Sequence, residues 1–355
     1  MKKVDIVTYC EWNSYGSILQ AWALKTHLVS LGCEVNHLRL DSISSKKIKL
    51  YFKGKNIKTL IINMNRFWNR RKLQRRFDLT MQFFSEHFRF IPYLDYEQLK
   101  ADVPEADVYI AGSDQIWNPN SINPFFYLSF VKDSRKKISY AASMGISKIP
   151  DHQRDEWYRA VQSFGHISVR EEIVKEIINK EIDKEVLVHL DPTFLVDKEI
   201  WRAISKPYLV REPYILVYAL FWDKMLNSQL KALHQKTGLQ IVAITSQPQQ
   251  VYAHRKIYDA SVQEFLWLFD HASYIVTSSF HGVAFSIIFE KKFSAVINPQ
   301  KPSRLNEVLN VLEIANTSIN LLPESQGPNY TKVNDIIREE KEKANAYLCR
   351  GINLE

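Results

Sequence analysis

Apolar positions along the chain form short β-branched stretches that alternate with stretches of helical period. Residues 4–9 read as a strand. Ile18, Leu19, Ala21, Trp22, Leu24 and Leu28 then recur at helical spacing as far as Gly32, a natural helix stop, with Ser17 placed to cap the start. Residues 35–40 read as the next strand, so the chain opens on a βαβ unit, the beginning of a doubly wound sheet. Residues 41–100 interrupt this rhythm. Within them 60–76 looks helical, but its apolar stripe (Leu60, Ile61, Met64, Phe67, Trp68) fails after Trp68. Strands follow at 108–111, 137–142, 166–169 and 186–190, with helices at 151–164 and 171–179.

A second run of the same kind starts near Pro213. Strands are expected at 214–219, 240–245, 274–276 and 293–297. Helices are expected at 227–236, 262–272, 282–289, 303–312 and 333–347. The pattern predicts an α/β protein of two doubly wound, Rossmann-like domains facing a cleft, hinged near 196–213. The expected division is 1–200 and 201–355, with the last helix, 333–347, packing back on the N-terminal domain. In such sheets ligands sit outside the C-terminal strand ends, so function is sought in the loops there.

Charge changes this picture in one place. The chain has 355 residues and a formal net charge of +8, from 47 Lys+Arg against 39 Asp+Glu. Residues 46–76 hold twelve basic residues and no acid; without them the remainder is a net −4. The protein reads as a slightly acidic globule with one cationic insert, placed by its position in the N-terminal domain, and not as a nucleic-acid-coating protein. A solvated basic surface is one reading of the insert. The other is a patch for anionic lipid headgroups or the diphosphate of a lipid-linked acceptor, with Phe67 and Trp68 at the interface.

No apolar run reaches 18 residues, so no membrane span is expected. Asp5 and Glu11 break any signal-peptide core, and the expected location is the cytoplasm, with peripheral contact at the inner face of the membrane through 46–76. Cys10, Cys33 and Cys349 are odd in number and far apart, which argues against a disulfide framework or a zinc knuckle. The histidines do not cluster, and no metal is expected. The marks of P-loop, GxGxxG, HExxH and GxSxG chemistry are missing.

Four loops carry candidate chemistry. Asn13-Ser14-Tyr15-Gly16-Ser17 opens a helix and suits an anion or a sugar hydroxyl, or is an ordinary capped start. Gly112-Ser113-Asp114-Gln115-Ile116-Trp117-Asn118 offers a carboxylate, amides and an indole. That set fits carbohydrate recognition, or a turn in which Trp117 plugs the core. Arg170, where a strand meets a helix, is placed to grip a carboxylate or phosphate, or to pair with a neighbouring Glu. Thr277-Ser278-Ser279-Phe280-His281-Gly282 brings hydroxyls, backbone N–H groups and an imidazole to the mouth of an apolar helix. That suits an anionic ligand and acid/base work, or a structural histidine.

Taken in order, the strings Tyr15-Gly16-Ser17-Ile18-Leu19-Gln20-Ala21, Gly112-Ser113-Asp114-Gln115-Ile116-Trp117-Asn118, Ser139-Tyr140-Ala141-Ala142-Ser143, Ser168-Val169-Arg170-Glu171, Leu190-Asp191-Pro192-Thr193-Phe194 and Thr277-Ser278-Ser279-Phe280-His281-Gly282 resemble the polysaccharide pyruvyl transferase family. The resemblance implies an architecture like that of GT-B glycosyltransferases. It implies transfer of a pyruvyl group from phosphoenolpyruvate, as donor substrate and without a separate cofactor, to a saccharide of a surface polysaccharide or its lipid-linked precursor, forming a ketal. On that reading His281 is the catalytic acid, and Arg170, Ser279 and Arg304 hold the donor. Asn13, Asp114 and Asn118 are acceptor candidates. Many members carry an Arg where this chain has Ser279, and Arg304 is the candidate to supply the lost charge. A nucleotide-sugar glycosyltransferase of GT-B type, or a non-catalytic anion- or RNA-binding protein, are the competing readings. The first wants a carboxylate just inside the 282–289 helix, where none occurs before Glu290. No nucleic-acid partner is expected.

Overall fold

The computed structural model describes residues 1–41, 57–211, 213–221, 223–245, 251–297, 303–314 and 327–354. It divides into two compact units. The first comprises Met1–Lys46, Ser85–Val196 and Asn334–Glu355; the second comprises Lys47–Phe84 and Asp197–Val333.

In chain order the first part runs β1 (Lys3–Val7), α1 (Tyr15–Ser30), β2 (Glu34–Leu40), α2 (Ile57–Trp68), α3 (Arg70–His87), β3 (Phe90–Tyr93), α4 (Tyr96–Ala101), β4 (Val108–Ala111), β5 (Lys137–Ser139), α5 (Arg154–Gln162), β6 (Ile167–Val169), α6 (Glu172–Asn179) and β7 (Val186–Val188). The first unit's sheet has the order β3-β2-β1-β4-β5, all parallel. The parallel pair β6-β7 continues it through single bridges at Ile138–His166 and Ala142–Val169. Strands flanked by helices on both faces are buried, which is why β4 (Val-Tyr-Ile-Ala) shows no polar alternation; in β1 the buried Asp5 is partnered, its Oδ1 accepting from Asn36 Nδ2 at 2.8 Å. Helix α1 is buried nearly all round, from Tyr15 to Leu28. Ser14 caps it, accepting from Ser17 N at 3.3 Å, so the cap lies three residues ahead of the expected Ser17.

The second part runs α7 (Lys198–Ile204), β8 (Tyr214–Tyr218), α8 (Lys224–Thr237), β9 (Gln240–Ile244), β10 (Arg255–Ile257), α9 (Val262–Asp270), β11 (Tyr274–Thr277), α10 (Phe280–Ile288), β12 (Phe293–Ala295), α11 (Ser303–Val311) and α12 (Tyr330–Ile352). Its sheet, β10-β9-β8-β11-β12, repeats the first unit's order with the same parallel pairing. In each sheet the order in which strands are added therefore reverses once, between β1 and β4 and between β8 and β11. These are the switch points at which doubly wound folds bind ligands.

Several elements depart from the periodicity, among them the short helices α4 and α7, which were not expected. The short strands β3 and β10, of four and three residues, sit at sheet edges and carry too few residues to show a period. The expected helix 60–76 is two helices broken at Asn69, the place where the apolar stripe fails. Position in sequence also misplaces the insert: residues 47–84 group with the second unit and not with the first. A pair of charged groups explains this. Glu264 closes a capping box with Ser261 at the start of α9 and also receives a bidentate grip from Arg75, at 2.9 and 2.5 Å. Arg75 donates to Asp259 O as well, at 2.6 Å. Residues 46–56 of the basic stretch lie outside the described residues.

Candidate functional sites at the two switch points

At the first unit's switch point, loops after β1, β4, β5, β6 and β7 close a buried polar network. Gln20, from α1, donates to Thr8 Oγ1 (3.0 Å) and Tyr9 O (2.9 Å), and Thr8 Oγ1 donates to Ser113 O (2.8 Å). Ser113 Oγ donates to Asp191 Oδ2 at 3.0 Å. Arg170 donates to the same oxygen at 3.0 Å and to Glu171 Oε1 at 3.3 Å. Ser143 Oγ adds a 2.5 Å bond to Glu171, and Thr193 reaches Asp191 Oδ1 through both N and Oγ1. Burial alone would push the Arg170 pKa down; the carboxylates of Glu171, Asp191 and Asp114 outweigh it and raise it. The guanidinium is held between two buried carboxylates of its own unit, and the cluster of Arg170, Glu171, Asp191 and Asp114 is net negative.

Asp114 is half-buried and has φ of +71°, a left-handed conformation that Asp tolerates better than most residues. Its Oδ1 accepts from Gln115 N at 2.8 Å, and its carbonyl accepts from Ile116 and Ser143 N–H groups. Trp117 settles the other half of that loop: it is fully buried, stacked 5.9 Å from Tyr127 and edge-on to Trp157 and Phe164. It is a core residue and offers no face to a sugar. Asn118 caps the 3-10 turn Pro119–Ser121 through Asn120 N at 3.0 Å, while Asn13 is exposed in the turn before α1.

Beside this network a pocket opens at the C-terminal ends of β1 and β2, lined among others by Tyr9, Cys10, Glu11, Arg39, Phe90 and Phe126. Tyr9 and Phe126 pack at 4.5 Å, and the Arg39 guanidinium lies 5.2 Å from the centre of the Phe90 ring. Burial raises the Tyr9 pKa, and the negative charges of Asp114 and Glu11 add to it. Periodicity gave no hint of this pocket, because its residues come from three strand ends and a loop. Cys10 and Cys349 are half-buried and Cys33 is buried, all as free thiols.

The second unit's switch point is built on a close approach of backbones. Thr277 Oγ1 donates to Tyr218 O (2.7 Å) and accepts from Ser279 N (3.1 Å). Ser278 Oγ accepts from the N–H groups of Leu220 and Phe221, both at 2.9 Å, which ties the loop after β8 to the loop after β11. Gly282 makes this possible: a Cβ there would stand 2.1 Å from Thr277 Oγ1. Ser279 and His281 are buried at the start of α10, and the His281 ring packs edge-on to Phe280. Arg304 belongs to α11, and its side chain lies outside the described residues.

One residue here was read from sequence only as part of the basic insert and not as part of this site. Arg76, the last of the twelve basic residues, is 2% exposed, whereas its neighbours Arg71 and Lys72 are exposed. It lies close enough to Tyr218 to act on the phenol, whose pKa burial raises and Arg76 and a hydrogen bond with Ser279 lower. The signal in sequence was there in part: Leu73, Arg76, Thr80 and Phe83 share one helical face, and that face is buried.

Among the described residues no group of three or more His, Cys, Asp or Glu is placed to hold a metal ion, and no helix is long and apolar enough to cross a membrane.

Two parallel doubly wound units in one chain, each with its polar loops at the switch point, define the GT-B class of architecture. One solved structure supports this fold. The S. aureus MnaA–UDP structure superposes with a TM-score of 0.58 at 11% identity, covering 100% of this chain and 98% of that one. Arabidopsis thaliana UGT89C1 complexed with UDP gives 0.49 at 11% identity, over 97% and 94%. The UDP-GlcNAc 2-epimerase from Methanocaldococcus jannaschii gives 0.48 at 10% identity, over 95% and 91%. At 11% identity the first of these likenesses speaks for the fold alone. No curated protein matches the chain. The sequence pattern of the polysaccharide pyruvyl transferase family, however, matches residues 15–299. The chain belongs to that family and is a transferase of polysaccharide biosynthesis.

Proposed function

We propose that the protein transfers a pyruvyl group from phosphoenolpyruvate to a saccharide acceptor, forming a cyclic ketal across two hydroxyls. The observation that carries this reading is the second unit's turn, where Gly282 lets α10 start against Thr277, with Ser279 and His281 buried in its first turn and the buried Arg76 acting on Tyr218, which also bonds Ser279. A cation, hydroxyls and the N-terminal end of a helix suit a small anion, and the imidazole suits proton transfer to carbon.

In the reaction His281 protonates the methylene carbon of phosphoenolpyruvate, and positive charge develops at C2. One acceptor hydroxyl adds there. Phosphate leaves with the C2–O bond, and the second hydroxyl closes the ketal, the two hydroxyl protons going to phosphate and back to the imidazole. Arg76 stands in this scheme where Arg304 was the sequence-based candidate, balancing donor charge. Arg170 is a positioning residue in this reading, because its guanidinium already bridges Glu171 and Asp191. Asp114 and the Tyr9–Arg39 pocket are the acceptor side, with aromatic faces and charged groups suited to sugar hydroxyls. Asn13 remains an acceptor candidate by exposure, whereas the Asn118 side chain is engaged in its cap.

A nucleotide-sugar reading is disfavoured by α10, whose first acid is Glu290 beyond its end, tied to Lys198 at 2.9 Å.

The test is mass analysis of products from phosphoenolpyruvate and lipid-linked or free oligosaccharide acceptors. A gain of one pyruvyl ketal with release of phosphate is expected. His281→Ala should abolish transfer and leave donor binding nearly intact, and Arg76→Gln should raise the KM for phosphoenolpyruvate more than it lowers kcat. Turnover with a nucleotide sugar and none with phosphoenolpyruvate would overturn the proposal.

A further inference from the structure

The structure sorts the basic stretch into two populations. Arg76 is buried and Arg75 is locked to Glu264, so neither presents free charge to the surroundings. Arg70, Arg71 and Lys72 are exposed at the start of α3. Immediately before them, the last turns of α2 expose three large apolar side chains: Met64 (53%), Phe67 (43%) and Trp68 (75%). Single exposed apolar residues need no explanation, but three within five positions, rimmed by cations, form a patch. Phe67 and Trp68 contact edge to face at 6.0 Å, and the Arg70 guanidinium covers the Phe67 ring at 4.6 Å while donating to Phe67 O at 3.2 Å. No acid occurs in the sequence between Asp41 and Asp78.

We propose that this α2–α3 corner docks the protein onto a bilayer rich in anionic phospholipid, with Met64, Phe67 and Trp68 entering the headgroup–acyl boundary and Arg70, Arg71 and Lys72 meeting lipid phosphates. The chemistry matches that occupant on two counts. Trp at the tip of an amphipathic element, beside Met and Phe, has the apolar body and polar edge of interfacial anchors. The three exposed cations, with no acid among them, complement a negatively charged surface. A single-stranded nucleic acid would want several open ring faces along a basic groove, whereas here the Phe67 face is already covered by Arg70. The proposal stands apart from the pyruvyl-transfer reading, since neither His281 nor Arg76 takes part in it.

The experiment uses the full chain and vesicles of phosphatidylcholine with or without phosphatidylglycerol. Sedimentation should show binding to the anionic vesicles that weakens with added salt and is near absent on pure phosphatidylcholine. Replacing Arg70, Arg71 and Lys72 together by Gln should weaken binding on the order of 100-fold, from three headgroup contacts. Phe67→Ser with Trp68→Ser should abolish it. Brominated acyl chains should quench part of the wild-type tryptophan emission, and Trp68→Phe should remove that part. All five positions are exposed, so melting temperatures should match wild type, and transfer to a soluble acceptor should be unchanged. Equal binding of wild type and variants, no binding to anionic vesicles, or tighter binding of an RNA oligomer lost in the same variants would each overturn the proposal. So would a change of oligomeric state in the Ser variants, which would assign the patch to a second copy of the chain.

Discussion

Gly282→Ala puts the second site's construction to a quantitative test. Gly282 lies within α10, where Ala is favoured over Gly by about 1 kcal/mol, so propensity alone makes this change stabilising. The tertiary contact reverses the sign. The new Cβ would stand 2.1 Å from Thr277 Oγ1, 3.0 Å from its Cβ and 3.2 Å from its Cγ2. Forcing a methyl into a packed contact costs about 1–3 kcal/mol. Moving Thr277 also strains its bonds to Tyr218 O and Ser279 N, each worth about 1 kcal/mol. The expected net loss is about 2–3 kcal/mol, confined to the second unit. Thr277→Ala removes the Oγ1 and Cγ2 atoms that clash, so Gly282→Ala in that background should cost about 0–1 kcal/mol. The coupling, about 2 kcal/mol, is read from a double-mutant cycle. Hydrogen exchange of residues 277–289, followed by mass spectrometry, measures it locally and does not require the whole chain to unfold in one step. Costs that add within about 0.5 kcal/mol would refute the close-approach argument. A stabilising Gly282→Ala would do so outright.

Other outcomes follow from the first unit. Asp114→Gly should leave stability within about 1 kcal/mol, because Gly adopts φ of +71° freely, while Asp114→Ala should cost more. If Asp114 touches the acceptor, both variants raise the acceptor KM; an unchanged KM in Asp114→Gly removes it from the site. Trp117→Ala should cost about 3–5 kcal/mol in chemical denaturation, as for a buried aromatic truncated in a core, and a near-neutral result would contradict its packing. Burial pushes His37 down to about 3 and His189 down to about 4, so both are neutral in the folded protein. Their contribution is fully present above about pH 6.5 and is lost as pH falls toward 4, because the unfolded chain takes up the protons first. Each adds about 1.4 kcal/mol of lost stability per pH unit in that window; urea midpoints from pH 7 to 5 measure the slope, and His189→Gln should flatten it.

Much of the fold was legible because buried parallel strands and amphipathic helices leave strong periods. The break after Trp68 was visible as a shift of the apolar stripe to another face. What stayed hidden was short, like β3 and β10, or was a matter of which partner a residue finds. Trp117 could as well have stacked on a sugar as filled a core. Its ring contacts with Tyr127, Trp157 and Phe164 come from positions 10 to 47 residues further along, beyond any local pattern.

Local order and residue type, then, determined the two α/β units, the loops to search, and the family to which those loops belong. Tertiary structure alone decided what each charge does. Arg70, Arg71, Arg75 and Arg76 are near neighbours in one basic run, indistinguishable by composition. Helical geometry turns Arg76 inward beside Tyr218, aims Arg75 at Glu264 almost two hundred residues away, and leaves Arg70 and Arg71 exposed. A charge's role depends on the groups within a few ångströms of it, and those are set by folding rather than by sequence distance.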